Sequence, residues 1–153
     1  MSSLFKAIQS ECSAHLAAQE FFSDSEASTP KPITILTEQL RDIESQIDLA
    51  VGKIGLCCLV ITPGAVEASE NSKLTWDRIG ITVVTYEQPH LNDRGIGAAT
   101  VAESIAWHLH HFKLTVASVL VHTGIELVPD EEYLIYNTNF TTRGGINAAP
   151  TRT

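Results

Sequence analysis

Apolar residues near the N-terminus recur every three or four positions, the spacing that places them on one side of a helix. This stripe begins at Leu4, and Ser2 or Ser3 stands where a side chain can cap the first turn. The residues that follow it are polar and include two prolines, which disfavour a helix. The pattern predicts an N-terminal helix over residues 1–22 and a linker over residues 23–32.

The middle of the chain alternates between strand-like and helix-like patterns. Residues 33–37 are mostly apolar and predict a short strand. Residues 56–62 are apolar on both faces and end before a Pro-Gly pair, which is typical of a strand inside a sheet. Between them lies a second helical stripe that Gly52 or Gly55 is expected to end. The stripe consists of Leu40, Ile43, Ile47 and Val51.

A long β-hairpin is predicted next. Residues 63–75 are polar, and residues 76–88 are rich in β-branched and aromatic residues. We therefore expect an extended hairpin whose mobile tip is formed by residues 63–75.

The C-terminal third predicts one more helix and two more strands. Residues 98–112 carry a third helical stripe, formed by Val101, Ala102, Ile105, Leu109 and Phe112. Two strands are expected over residues 115–122 and 132–140, joined across residues 123–131. The remaining residues contain glycines and a proline but little apolar mass.

The order of these elements predicts an α+β fold, with a mostly antiparallel β-sheet and a long β-hairpin flanked by two to three α-helices. The corresponding division is an N-terminal helix (1–22), a linker (23–32), an α+β core domain (33–143) and a flexible C-terminal tail (144–153).

Charge and composition exclude several classes of function. The 153 residues include 10 Lys and Arg against 18 Asp and Glu, a net charge of −8, which is the wrong sign for gripping nucleic acid phosphates. The odd number of cysteines does not suggest a disulfide framework. No apolar run is long enough for a membrane span or a signal sequence. We expect a soluble protein that is made in a reducing cytoplasm.

The segment AWHLHHFK contains the most unusual group of side chains. Trp107 lies about 200° around the helix from Ile105, away from the apolar stripe, with Ser104 and His111 beside it. An outward tryptophan indicates an interface, because burying its large apolar surface against a partner is favourable. The alternative is that the N-terminal helix of the same chain covers Trp107.

The histidines suggest a second hypothesis, a small metal-dependent enzyme. His108 and His111 have the spacing of two zinc ligands on one helix face, and His122 or His15 are candidates for a third. No established metal or catalytic motif accompanies them. Gly95 and Gly97, before the third helix, allow a phosphate site but are more typical of a turn. We expect no cofactor.

The whole arrangement resembles a family of phage proteins. The resemblance rests on the order of features in ITILTEQLRDIESQIDLAVGKIGLCCLVITPGA, then IGITVVTYEQPHLND, then ATVAESIAWHLHHF, and it covers residues 33–143. This order is similar to that of the tail terminator and tail completion proteins of tailed bacteriophages. The resemblance implies a structural, non-enzymatic subunit of a six-fold ring at the head-proximal end of the tail, which stops tail-tube polymerisation and presents a surface to the head.

The implied partners are further copies of the chain, the major tail tube protein and a head-completion or connector protein, with DNA only as passing cargo and no membrane. The implied location is the virion. Another neck or minor tail protein, such as a head-closure adaptor, is the alternative within the same class. The interface is expected to include Trp107, His111, Ser104, Glu67, Glu70, Lys73, Trp76 and Arg143.

Overall fold

A five-stranded mixed sheet organises the computed structural model of the chain, which describes residues 3–24, 31–38, 41–68 and 75–145. The elements are α1 (Leu4–Ala17), α2 (Glu20–Ser23), β1 (Thr34–Thr37), α3 (Ile43–Ile54), β2 (Leu56–Ala68), β3 (Thr75–Glu87), a 3-10 turn (Pro89–Leu91), α4 (Ala98–Leu109), β4 (Val121–Val128) and β5 (Leu134–Gly145). The strand order is β1-β2-β3-β5-β4, with β1 and β2 parallel and all other pairs antiparallel. The predicted α+β fold is confirmed.

The N-terminal apolar stripe forms α1, which begins at Leu4 as predicted. The Ser3 side chain accepts a hydrogen bond from the Lys6 amide at 3.4 Å and caps the helix. The chain then bends, because Gln19 adopts an extended conformation and begins the separate short helix α2. The predicted single helix is therefore two helices. The buried side of α1 consists of Leu4, Ile8, Gln9, Cys12 and Leu16.

The sheet has a separate core on each face. Helices α1 and α4 cover one face, where Cys58 is buried, and α3 covers part of the other, where Cys57 is buried. The two adjacent cysteines thus face opposite sides, as their positions on a strand predict. Burial raises the pKa of Cys58 to about 12, so its thiol stays protonated at neutral pH. All three cysteines are free and buried, so Cys57 and Cys58 act as small core residues on the two faces of the sheet.

The hairpin of β2 and β3 is longer than predicted. Strand β2 does not end before Pro63 but continues to Ala68, and the pairing with β3 shifts between Ile61 and Gly64. Proline has no backbone N–H to donate to the sheet. A shift in register at this position lets the strand continue beyond the proline. The prediction of a connection was therefore wrong for residues 63–68. Residues 69–74 lie outside the described part of the chain.

The predicted boundaries around α3 and α4 need small corrections. Helix α3 begins at Ile43 and ends at the left-handed Gly55, while Leu40 lies outside the described residues. Helix α4 stops at Leu109 and not at Phe112, because the backbone of His110 is extended (ψ 124°) and that of His111 is left-handed (φ 69°).

The first of the two C-terminal strands was misplaced. Residues 115–120 form only isolated bridges, and β4 spans Val121–Val128, most of which was predicted to be a connection. Leu114, Val116 and Leu120 are buried at alternating positions, so the segment has the pattern of a strand without a continuous ladder. Strand β5 extends beyond the predicted strand as far as Gly145. The backbone of its last residues pairs with β3, up to Thr75, and this pairing does not require apolar side chains.

Arg94, in the loop before α4, connects helix α2 with the C-terminal end of the linker. Its guanidinium donates to the carbonyl oxygens of Phe21 (2.7 Å) and Lys31 (2.8 Å), and only 10% of its side chain is exposed. Because a buried guanidinium with two short hydrogen bonds contributes more than a surface ion pair, we expect Arg94→Ala to lower the free energy of unfolding by about 2 kcal/mol.

Chemical denaturation measures this loss, and the chain offers a matched control. Arg143 forms a 3.5 Å ion pair with Asp77, but 73% of its side chain is exposed. Arg143→Ala should change stability by less than about 0.5 kcal/mol. Equal effects of the two substitutions would contradict the anchoring role of Arg94.

Candidate assembly surface

An open apolar groove of about 600 Å³ lies between helix α4 and strand β4. Its walls belong to two elements that meet at the edge of the sheet. The lining residues are Glu103, Ala106, Trp107, His110, His122 and Ile125. We refer to these six residues as the α4–β4 groove.

Trp107 is the most exposed large apolar side chain of the groove, with 82% of its surface accessible. Helix α4 is amphipathic, and its buried residues Val101, Ile105 and Leu109 turn Trp107 away from the sheet. The N-terminal helix does not cover Trp107, because α1 packs against the opposite, buried side of α4. Of the two alternatives that the sequence left open, the structure therefore supports the outward orientation.

Strand β4 adds further exposed apolar surface. Ile125 is opposite Thr138 on β5, and Leu127, which is 56% exposed, is opposite Tyr136. Thr138 also contacts the Ala102 carbonyl oxygen of α4, so Ile125 and Leu127 share the face of the sheet that α4 covers. β4 is the last strand of the sheet, and its outer edge has no strand partner within the described residues. An apolar edge of this kind favours association.

The buried Glu87 carboxylate fixes the position of α4. Its Oε1 accepts from the Ala98 amide at 2.8 Å and its Oε2 from the Asn92 side chain at 2.7 Å. Ala98 opens α4, so the carboxylate occupies the helix N-terminus, where a bound anion would otherwise sit. The structure therefore assigns Gly95 and Gly97 to the turn before α4 and not to a phosphate site. Gly95 has the positive φ (81°) of a turn residue.

The histidines do not converge on one point. The His108 ring lies 6.2 Å from the Phe22 ring, and the His15 Nε2 atom lies 3.1 Å from the His108 carbonyl oxygen. Burial and the nearby His15 lower the pKa of His108. His111 instead stacks on His110 at 3.8 Å. Within the described residues, no three His, Cys, Asp or Glu side chains are arranged to hold a metal ion.

The other residues expected at an interface are scattered. Ser104 is half-buried on α4, Arg143 is exposed near the far end of β5, and Trp76 packs against the Phe5 ring at 6.4 Å. The side chain of Glu67 lies outside the described part of the structure, as do Glu70 and Lys73. Of the expected residues whose side chains the structure describes, only Trp107 lines the α4–β4 groove.

Five groove residues were missed as interface residues, although the sequence contained part of the signal. Glu103 and His110 lie four and three residues from Trp107, the spacing of neighbours on one helix face, and both line the groove. His122 was considered only as a metal ligand, and Ile125 was missed because the segment that contains it was predicted to be a connection. Ala106 is too small to give a signal of its own.

A second, acidic depression of about 340 Å³ lies between α3 and the turn from β4 to β5. The Tyr133 hydroxyl donates a hydrogen bond to the Asp48 carboxylate, which raises the pKa of Tyr133. The Asp130 carboxylate accepts from the Tyr133 and Glu132 amides, which lowers the pKa of Asp130. This end of the molecule therefore carries a group of acidic side chains, and the lowered pKa keeps Asp130 ionised at neutral pH.

Comparison with known protein families finds no match, and a search of curated proteins finds none either. The described residues also contain no helix that is both long and apolar enough to cross a membrane. Function therefore has to be inferred from the fold and from the α4–β4 groove.

Proposed function

We propose that this chain is a structural subunit of a tailed bacteriophage, a tail terminator that closes into a ring at the head-proximal end of the tail. The ring stops polymerisation of the tail tube and offers its other face to a head-completion or connector protein. The observation that carries the proposal is the exposed Trp107 in the α4–β4 groove, beside the open edge of β4. Its partner in the ring is a further copy of the same chain.

The groove has the composition of a subunit contact. Trp107 offers a large apolar surface, Ile125 and Leu127 extend it along β4, and Glu103 and His110 supply polar groups at its margin. Aromatic anchors surrounded by smaller contacts are the usual source of binding energy at protein interfaces. This binding energy is not gained while the groove stays exposed to water.

Ring closure requires that two different surfaces of the subunit meet. A heterologous contact between a groove on one copy and another patch on the next generates a ring when the rotation closes. Strand β3 pairs with β5 along its whole length, and we assign that contact to the end of the β2–β3 hairpin, where the described strands stop at Ala68 and Thr75. This assignment supports a cyclic assembly better than a two-fold dimer.

The charge of the subunit fits a channel for DNA. The chain has a formal net charge of −8, and like-charged walls repel the phosphate backbone and so let DNA slide without binding. DNA is therefore cargo in this proposal, and the protein partners are the major tail tube protein and the connector.

Electron microscopy of the purified full chain tests the proposal. The expected result is a population of closed rings with cyclic symmetry. Their class averages should show about six subunits, the number that the resemblance to tail terminators implies. The tryptophan fluorescence should also shift to shorter wavelength on assembly, because Trp107 leaves water. Particles without a central opening at every protein concentration would contradict the terminator assignment and favour a head-closure adaptor or minor tail protein.

A further inference from the structure

The segment that follows α4 is held against residues 120–122, at the start of β4, by three hydrogen bonds. The His111 amide donates to the Leu120 carbonyl oxygen at 2.8 Å, and the Leu120 amide donates to the Phe112 carbonyl oxygen at 2.9 Å. The third contact is different, because the His122 amide donates to a side-chain atom, Nδ1 of His110, at 3.0 Å. His111 between them has a left-handed backbone, so this turn holds a residue in a sparsely populated conformation.

The third contact depends on the charge of His110. An imidazole nitrogen accepts a hydrogen bond only while it is unprotonated, so the His122 amide fixes the tautomer with Nδ1 free and the proton on Nε2. Protonation of Nδ1 would place two N–H donors 3.0 Å apart. The contact would then become repulsive.

The surroundings of His110 favour its neutral form at neutral pH. Desolvation by neighbouring groups, and then the nearby His111 and His122, lower the pKa of His110, whose side chain lies at the surface. From α4, the Glu103 carboxylate lines the same groove, and it is the only carboxylate among the lining residues. His122 itself is held from β5, because its Nδ1 lies 3.1 Å from the Asn139 carbonyl oxygen.

The sign of the pH dependence follows from this direction. A histidine whose pKa is lower in the folded protein binds fewer protons there than in the unfolded chain. Its stabilising contact is fully present above about pH 6.5, the ordinary value, and is lost as the pH falls through the lowered value. Acidification therefore weakens the junction of α4 and β4.

We propose that His110 is a pH-sensitive latch of the α4–β4 groove. At neutral pH its Nδ1 holds the His122 end of β4 against α4. In mild acid, below the ordinary pKa of histidine, protonation releases this end and moves the groove wall formed by His122 and Ile125. The consequence for ring assembly rests on the proposed function, whereas the latch itself does not.

Hydrogen–deuterium exchange of residues 120–124 tests the latch in the full chain, whatever its oligomeric state. His110→Asn is the informative variant, because its amide oxygen takes roughly the place of Nδ1 and accepts at every pH. Comparing the variant with the wild type at one pH cancels the intrinsic pH dependence of exchange. We expect equal protection at pH 7.5 and about tenfold faster exchange of the wild type at pH 5.0, the effect of losing one hydrogen bond.

Two further variants sharpen the test. His110→Ala removes the acceptor and should expose the His122 amide at both pH values, whereas His111→Asn should keep the wild-type response. Equal exchange of wild type and His110→Asn at pH 5.0 would overturn the latch, as would unchanged protection in His110→Ala at pH 7.5. The latch would also be overturned if the faster exchange at pH 5.0 disappeared in His111→Asn but persisted in His110→Asn.

Light scattering of the same samples separates the latch from the proposed function. Rings that dissociate at pH 5.0 in the wild type but persist in His110→Asn support both. A chain that is monomeric at both pH values contradicts the proposed function, while the exchange data still decide the latch.

Discussion

Trp107→Ala is expected to abolish ring assembly at concentrations where the wild type is fully assembled. Trp107 is 82% exposed in the subunit, so its removal costs the monomer little. At a contact it would be an anchor, and loss of such an anchor costs at least about 2 kcal/mol, or about thirtyfold in the dissociation constant. Every contact around a closed ring carries the same loss. Sedimentation velocity across a concentration series measures the effect.

Leu49→Ala is the matched control for this substitution. Leu49 is also a large exposed apolar residue, at 64%, but it lies on α3, away from the α4–β4 groove. We expect the variant to assemble like the wild type. If Trp107→Ala assembles normally, or if circular dichroism shows that it has unfolded, Trp107 is not the interface anchor.

Glu87→Ala should produce the largest loss of stability, about 3 kcal/mol in the free energy of unfolding. The buried carboxylate accepts from the Ala98 amide and from the Asn92 side chain, and both contacts are shorter than 3 Å. Hydrogen bonds to a charged group contribute about 1.5–3 kcal/mol each, and their removal leaves buried donors without a partner. The first turn of α4 should loosen, and with it the groove.

Urea denaturation measures the stability of Glu87→Ala, and Glu131→Ala serves as its control. Glu131 is an exposed carboxylate in the turn before β5, so its removal should cost less than about 0.5 kcal/mol. Glu87→Gln tests the geometry, because the amide keeps one acceptor but presents a donor to a donor; an intermediate loss is expected. Equal stability of all three variants would contradict the capping role.

Periodicity predicted the elements in which side chains decide the structure. The stripes of α1, α3 and α4 appear in the sequence because each helix buries one side, and the apolar run of β2 appears because that strand is buried on both faces. The capping of α1 by Ser3 follows a local rule that needs no tertiary information.

The misplaced elements are those that depend on distant backbone pairing. Pro63 suggested the end of a strand, yet β3 pairs on both sides of it, with a shift in register. Leu114, Val116 and Leu120 alternate like a strand because they fill the core, while β4 is an edge strand whose exposed side chains give little periodic signal. The pairing of β1 parallel to β2 likewise depends on tertiary structure.

The candidate site was predictable only on its helix side. Trp107 was placed outward from helical geometry alone, because the buried stripe of α4 defines the opposite side. Its neighbours across the groove belong to β4, and no local pattern brings His122 or Ile125 to Trp107. The Glu87 cap was missed for the same reason, because the carboxylate reaches α4 from the end of a strand 11 residues earlier.

The measurement that tests the central claim most directly is the mass of the full chain in solution by light scattering at neutral pH. The proposed function predicts a single closed species of about six times the 16.6 kDa mass of the subunit, unchanged over a tenfold dilution. A chain that remains monomeric up to the highest soluble concentration would contradict the claim that the α4–β4 groove joins copies of this subunit into a ring.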